Sequence, residues 1–112
     1  MILTHRNHHG IDIIALSGRL VIADVPEVRQ KLLTTVEQGN GKLILDLAEV
    51  NFMDSSGLSV LVSAFKAARA KNGDVALLHL NPTVRSLIEL TRLQQIFAIF
   101  DDEAAALTRL SS

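Results

Sequence analysis

Short runs of aliphatic and β-branched residues alternate along this chain with longer stretches whose apolar residues recur every three or four positions, and a period that keeps switching in this way admits few folds. Ile2 to His5 and Ile11 to Leu16 are two such runs, joined by polar residues and Gly10, which predicts an opening hairpin. Asp24 reads as an N-cap, with Glu27 three residues on completing a capping box. Val25, Val28, Leu32 and Val36 follow at helical spacing until Gly39 and Gly41. Leu43 to Leu47 is nearly continuous apolar sequence, as expected of a strand buried on both faces. Asp54 is the expected cap of a second helix, in which Leu58, Leu61, Val62, Phe65 and Ala68 share one face and Asn72 and Gly73 mark the stop. Val75 to Leu80 reads as another buried strand, and Asn81 and Pro82 open a third helix carrying Val84, Leu87 and Ile88. Ile96 to Phe100 is the last strand, and Asp101 to Glu103 begin a short helix ending near Leu110.

The order β-β-α-β-α-β-α-β-α predicts an α/β fold: a mixed, mostly parallel sheet with helices packed against it through right-handed crossovers. At 112 residues the chain suits one core, so residues 1–112 read as a single domain. Hydrophobic residues at 48% and charged residues at 21% place it among packed globules rather than disordered chains. The formal charge of −1, from 11 basic and 12 acidic residues, offers no general attraction for nucleic acid or an anionic membrane. Tyrosine and tryptophan are absent and the four phenylalanines lie in apolar segments, so no platform for stacking bases is expected. No apolar stretch approaches the ~18 residues of a membrane-spanning helix, and Met1 to His9 lacks the apolar centre of a signal peptide. The absence of cysteine excludes disulfides, thiolate metal ligands and a cysteine nucleophile, and fits a reducing compartment. A cytoplasmic location is therefore expected, with no direct nucleic-acid partner, no membrane insertion and no cofactor.

In sheets of this kind function gathers at the carboxyl ends of the strands, which singles out the expected loop after Leu47. The segment Leu45-Asp46-Leu47-Ala48-Glu49-Val50-Asn51-Phe52-Met53-Asp54-Ser55-Ser56-Gly57-Leu58 delivers a capping acid and then a first helical turn beginning Ser-Ser-Gly. Such a turn has unpaired backbone N–H groups and the positive end of the helix dipole, so a phosphate on one of its hydroxyls is stabilised twice. Glycine costs roughly 0.5–1 kcal/mol against alanine in a helix, so Gly57 points to close approach by a partner's backbone. Ser56, Ser59, Val60, Ser63 and Ala67 form a stripe of small and medium side chains beside the core face, suited to docking a flat protein surface. The plainer alternative is the solvated side of an amphipathic helix.

The same segment resembles the signature of the STAS family, above all its anti-sigma factor antagonists, in which a buried "LDL" strand leads to "V-x-F-M/I-D-S-S-G-L". Gly18-Arg19-Leu20 resembles the family's Gly-x-Leu before the first helix, and Asn81-Pro82-Thr83-Val84 the turn before its third. The likeness runs from about Gly10 to Leu110. It implies that the second serine of the pair, Ser56, is phosphorylated by a kinase-type anti-sigma factor with a histidine-kinase-like ATPase fold. It further implies that the unmodified antagonist binds that partner, that the phosphorylated form is released, and that a serine phosphatase restores it. By the same resemblance Asp54, Ser55, Ser56, Gly57, Ser59, Val60, Ser63 and Ala67 make up the partner surface. Many members carry an aspartate directly after the Gly-x-Leu turn that assists kinase recognition; this chain has Val21 there. Other STAS relatives are non-switching subunits of stress-signalling scaffolds or lipid-transport ATPase complexes, the alternative assignment.

Elsewhere the chemistry-bearing residues have structural readings. Ser55 is read as a helix-start residue, and Asp46, inside an apolar strand, needs a hydrogen-bonding partner if buried. His5, His8 and His9 lie in a terminal strand and turn without a cysteine or acid adjacent, so no metal site is expected. His79 ends a buried strand as a satisfied histidine; Arg85 and Arg92 read as solvated cations within possible reach of a phosphate. The Gly-x-Ser-x-Gly elbow, a Walker A loop and a dinucleotide fingerprint are all missing, so the serine reads as a substrate for another enzyme rather than a nucleophile.

Overall fold

A computed structural model describes residues 1–111. Strands β1 (Ile2–His8) and β2 (Ile11–Leu20) form the opening hairpin, followed by α1 (Val25–Gln38), β3 (Lys42–Met53), α2 (Ser55–Ala70) and β4 (Asp74–Leu78). Helix α3 (Pro82–Leu90), β5 (Ala98–Phe100) and α4 (Glu103–Ser111) complete the chain. Two 3-10 turns, Ile22–Asp24 and Leu93–Gln95, precede α1 and β5.

The five strands lie in the order β1-β2-β3-β4-β5; β1 runs antiparallel to β2, and the remaining pairs are parallel. Strands laid down in sequence order, each reached by a crossover of one hand, place all three crossover helices on the same face of the sheet. That face holds the larger core: Ile14, Leu16, Leu43, Leu45, Leu47, Val75 and Leu77 beneath Leu32 of α1, Leu61 of α2 and Ile88 of α3. The opposite face carries Ile11, Ile13, Ile44, Ala76 and Leu78, covered by Ala106 and Leu110 of α4 with Leu107 packed beside them. Burial on both faces explains why β3 and β4 read as continuous apolar runs rather than alternating ones.

Three local features depart from the expectations. Asp24 holds the N-cap position of α1 but makes no capping bond to it; its carboxylate reaches back to the Val21 N–H at 3.4 Å. The extra 3-10 turn has turned that side chain away from the helix it was expected to cap. Strand β1 runs on to His8, and His5 Nε2 lies 2.8 Å from Asp12 Oδ1 across the hairpin, a carboxylate partner that spacing alone did not pair with it. Asp12 also accepts from Asn7 Nδ2 at 3.1 Å, which keeps this buried carboxylate satisfied. Asp46 is only half-buried in the middle of β3; it accepts the Ala48 N–H at 3.1 Å and faces Nδ1 of His79, just past the end of β4, at 3.3 Å, so both fill structural roles. Among the described residues no group of three or more His, Asp or Glu could hold a metal ion, and no helix is long and apolar enough to cross a membrane.

Candidate functional site

The expected loop after Leu47 is mostly strand. β3 continues to Met53 by pairing Glu49, Val50, Phe52 and Met53 with Ser17, Gly18, Arg19 and Leu20 of β2. The ladder slips between Ala15 and Ser17 and again between Gly18 and Arg19. Gly18, at φ +120°, adopts a backbone that side chains rarely allow, and this irregularity lets the two strands end together. Asp54 is the single residue between β3 and α2.

Both carboxylate oxygens of Asp54 are used. Oδ1 accepts the Gly57 N–H at 2.9 Å, the capping bond the sequence predicts. Oδ2 accepts the Ile22 N–H at 3.1 Å, from the 3-10 turn before α1. The Asp54 N–H in turn donates to the Leu20 carbonyl at 3.3 Å. The end of β2, the turn after it and the start of α2 are thus held in one corner by one side chain and its own backbone.

Ser56 lies on the first turn of α2, partly exposed, and its hydroxyl has no hydrogen-bond partner among the described residues. Its side chain does not enter the hydrophobic core, so the hydroxyl is reachable from outside. With the Gly57 N–H taken by Asp54, the Ser55 and Ser56 N–H groups are the ones on this turn left open to an anion. The Asp54 carboxylate is a fixed negative charge beside any group added there.

Two members of the expected partner surface belong to the interior. Gly57 is buried, and a Cβ on it would collide with the Leu20 carbonyl and come within 2.8 Å of Leu20 Cγ. The close approach that glycine permits is made by this chain's own β2, not by a partner. Val60 is fully buried in the larger core. The expected stripe was drawn too close to the apolar face: α2 packs along α1 as well as onto the sheet, which widens its buried arc. Ala67 is half-buried against the same core. Ser55 and Ser59 are exposed and Ser56 and Ser63 partly so, which leaves a serine-rich strip one turn wide at its upper end. The Ser59 hydroxyl donates to the Ser56 carbonyl at 2.6 Å and Ser63 to the Ser59 carbonyl at 3.0 Å, so both are committed to the helix itself.

Three residues of this corner carried no functional expectation from the sequence: Ile22 lies outside its motifs, and Phe52 and Arg19 stand within them only as motif positions. Ile22 is 69% exposed and Phe52 39% exposed, although both are large and apolar. The Arg19 guanidinium stacks over the Phe52 ring, 4.8 Å from its centroid. The available signal was an isoleucine in a turn segment, outside any periodic run. Arg85, expected to be solvated, pairs with Asp101 at 3.2 Å, and Arg92 is exposed in a left-handed backbone conformation.

The STAS domain family model matches residues 3–106. The chain is 34% identical over 105 residues to the anti-sigma F factor antagonist of Paenibacillus polymyxa, covering 93% of this chain and 90% of that protein. Its fold is similar to that of an anti-sigma factor antagonist from Mycobacterium paratuberculosis, with a TM-score of 0.89 at 23% identity over 99% of this chain and 94% of the other. It is also similar to the antagonist SpoIIAA in its unphosphorylated form, with a TM-score of 0.84 at 26% identity over 98% and 96% of the two chains. A sheet of this order, a carboxylate-capped Asp-Ser-Ser-Gly turn at the carboxyl end of its central strand and a family match across nearly the whole chain lead to one assignment: this chain belongs to the STAS domain family.

Proposed function

We propose that this chain is an anti-sigma factor antagonist, a binding protein without catalytic activity, that engages a kinase-type anti-sigma factor while Ser56 is unmodified and is released when Ser56 is phosphorylated. The observation that carries this is the Ser56 hydroxyl, partly exposed and without a hydrogen-bond partner among the described residues, on the first turn of a helix. The names of its relatives support the partner class: antagonists of an anti-sigma F factor and of an anti-sigma-B factor, at 34% and 33% identity.

The switch follows from charge. Phosphorylation adds about −1.5 to −2 charges beside the Asp54 carboxylate, on a strip otherwise lined by serine hydroxyls. In the free protein water and the open Ser55 and Ser56 N–H groups solvate that charge. Against a partner it would be desolvated with an acid for a neighbour, and a loss of ~2.8 kcal/mol already weakens binding about a hundredfold. A serine phosphatase acting on the released form then resets the cycle. The partner surface we assign is Asp54, Ser55, Ser56, Ser59 and the exposed part of Ser63.

Binding of the kinase-type anti-sigma factor from the same cells should be equal for the wild type and Ser56→Ala, and at least about tenfold weaker for Ser56→Asp. Incubation with that partner and ATP should place phosphate on the wild type and not on Ser56→Ala, as read by phosphopeptide mass spectrometry. Equal binding by all three forms would remove the switch, and failure of any kinase-type anti-sigma factor to bind would remove the antagonist function.

A further inference from the structure

Large apolar side chains left in water beside a functional turn need a reason, and this corner has two. Ile22 and Phe52 are among the few large hydrophobic residues that the described structure leaves exposed. Ile22 is fixed to the Ser56 turn through the Asp54 carboxylate, which bonds the N–H of Ile22 with one oxygen and that of Gly57 with the other. Phe52 lies two residues before Asp54 on the strand that ends there, with the Arg19 guanidinium over one face of its ring. Leu20 and Met53, their neighbours in the chain, are buried in the larger core, whereas Ile22 and Phe52 are left outside it. The geometry points to Ile22 and Phe52 as apolar anchors for the same partner that handles Ser56, received by an apolar surface next to that partner's kinase site. This rests on the antagonist function proposed above and adds the chemistry by which the partner is selected.

The physics favours a protein partner's apolar surface over an acidic or basic contact. Burying an isoleucine or phenylalanine side chain releases enough free energy to shift affinity by roughly tenfold or more each. Interfaces place such anchors at the centre and polar groups at the rim. Here the serine strip and the Arg19 guanidinium supply that rim, and the Asp54 clamp holds Ile22 and Ser56 in a fixed relation. A partner docked on Ile22 therefore has the hydroxyl presented at a set distance, so the anchors should govern phosphorylation as well as binding.

The test uses the full chain with the kinase-type anti-sigma factor from the same cells, in titration calorimetry and in a phosphorylation time course. Ile22→Asn and Phe52→Ser are each expected to weaken binding about tenfold or more and to slow Ser56 phosphorylation in step. Ile2→Asn, a residue 67% exposed on β1, is expected to bind as the wild type does. Ile22 is 69% exposed, so Ile22→Asn should melt as the wild type does; Phe52 is 39% exposed and stacked by Arg19, so Phe52→Ser is expected to melt a few degrees lower with an unchanged circular dichroism spectrum at the assay temperature. If Ile22→Asn and Phe52→Ser bind normally while Ser56→Asp does not, the anchors are refuted and the switch stands. If no form binds a kinase-type partner, both fail together. Concentration-dependent self-association by sedimentation, lost in the same two variants, would assign the patch to a second copy and overturn the inference.

Discussion

Asp54 shows how much one side chain can decide. Its two oxygens join the Ile22 turn to the first turn of α2, so capping and tertiary positioning are the same interaction. Gly57 beside it is required for packing: any Cβ would overlap the Leu20 carbonyl. Gly57→Ala, which would help an isolated helix, should therefore destabilise the protein by about 2 kcal/mol, because α2 must move off the end of β2. A urea midpoint equal to the wild type's would show that the corner yields easily and that Gly57 serves something else. The cap at Asp54 was plain from residue type and spacing, whereas the second bond to Ile22 was not. It joins residues 32 apart in sequence, and local pattern carries no information on such a pair.

Elements are joined here by polar contacts as well as by the core. The Lys71 ammonium, just past α2, donates to the carbonyls of Val36, Glu37 and Gly39 at 3.2, 2.9 and 2.7 Å, closing the C-terminal end of α1. It satisfies orphan carbonyls and opposes the negative end of the helix dipole at once. Lys71→Met keeps the aliphatic stem and removes the charge, and should cost about 1 kcal/mol while raising amide hydrogen exchange in the last turn of α1. Unchanged exchange there would mean that water replaces the ammonium without loss. Helix α3 starts on a cap legible from local sequence, with Asn81 accepting the Val84 N–H at 2.9 Å and Pro82 in the first turn, and the Asn81 amide also donates to the Val50 carbonyl of β3. That boundary was readable from two residues. The length of β3 was not, because residues 48–53 become strand only when β2 lies alongside with its register shifted at Gly18.

For the molecule as a whole, the two faces of the sheet divide the labour. Helices α1, α2 and α3 pack on one face and α4 on the other, while the Ser56 hydroxyl stands at the carboxyl ends of β2 and β3, partly exposed at the border of the larger core. A charge placed there should leave the fold intact. Ser56→Asp is expected to melt within a few degrees of the wild type, with the favourable helix dipole and the unfavourable Asp54 charge each contributing under about 1 kcal/mol. A drop of ten degrees or more would mean that the modification acts by unfolding rather than by charge at a surface. The long-range tie between β1 and α4, Arg6 to Glu103 at 2.6 Å, is exposed; the hydrogen bond and then the charge of Glu103 hold the Arg6 guanidinium above its ordinary range. Element types, their order, the caps at Asp54 and Asn81 and the placement of Ser56 on a first turn were legible along the chain, because each depends on neighbours within about four residues. Tertiary packing set the inward placement of Val60 and Gly57, the extension of β3 to Met53, and the exposure of Ile22 and Phe52 near the end of that strand. Those outcomes depend on which element packs against which, and that is settled only when strands and helices far apart in the chain compete for the same apolar surface.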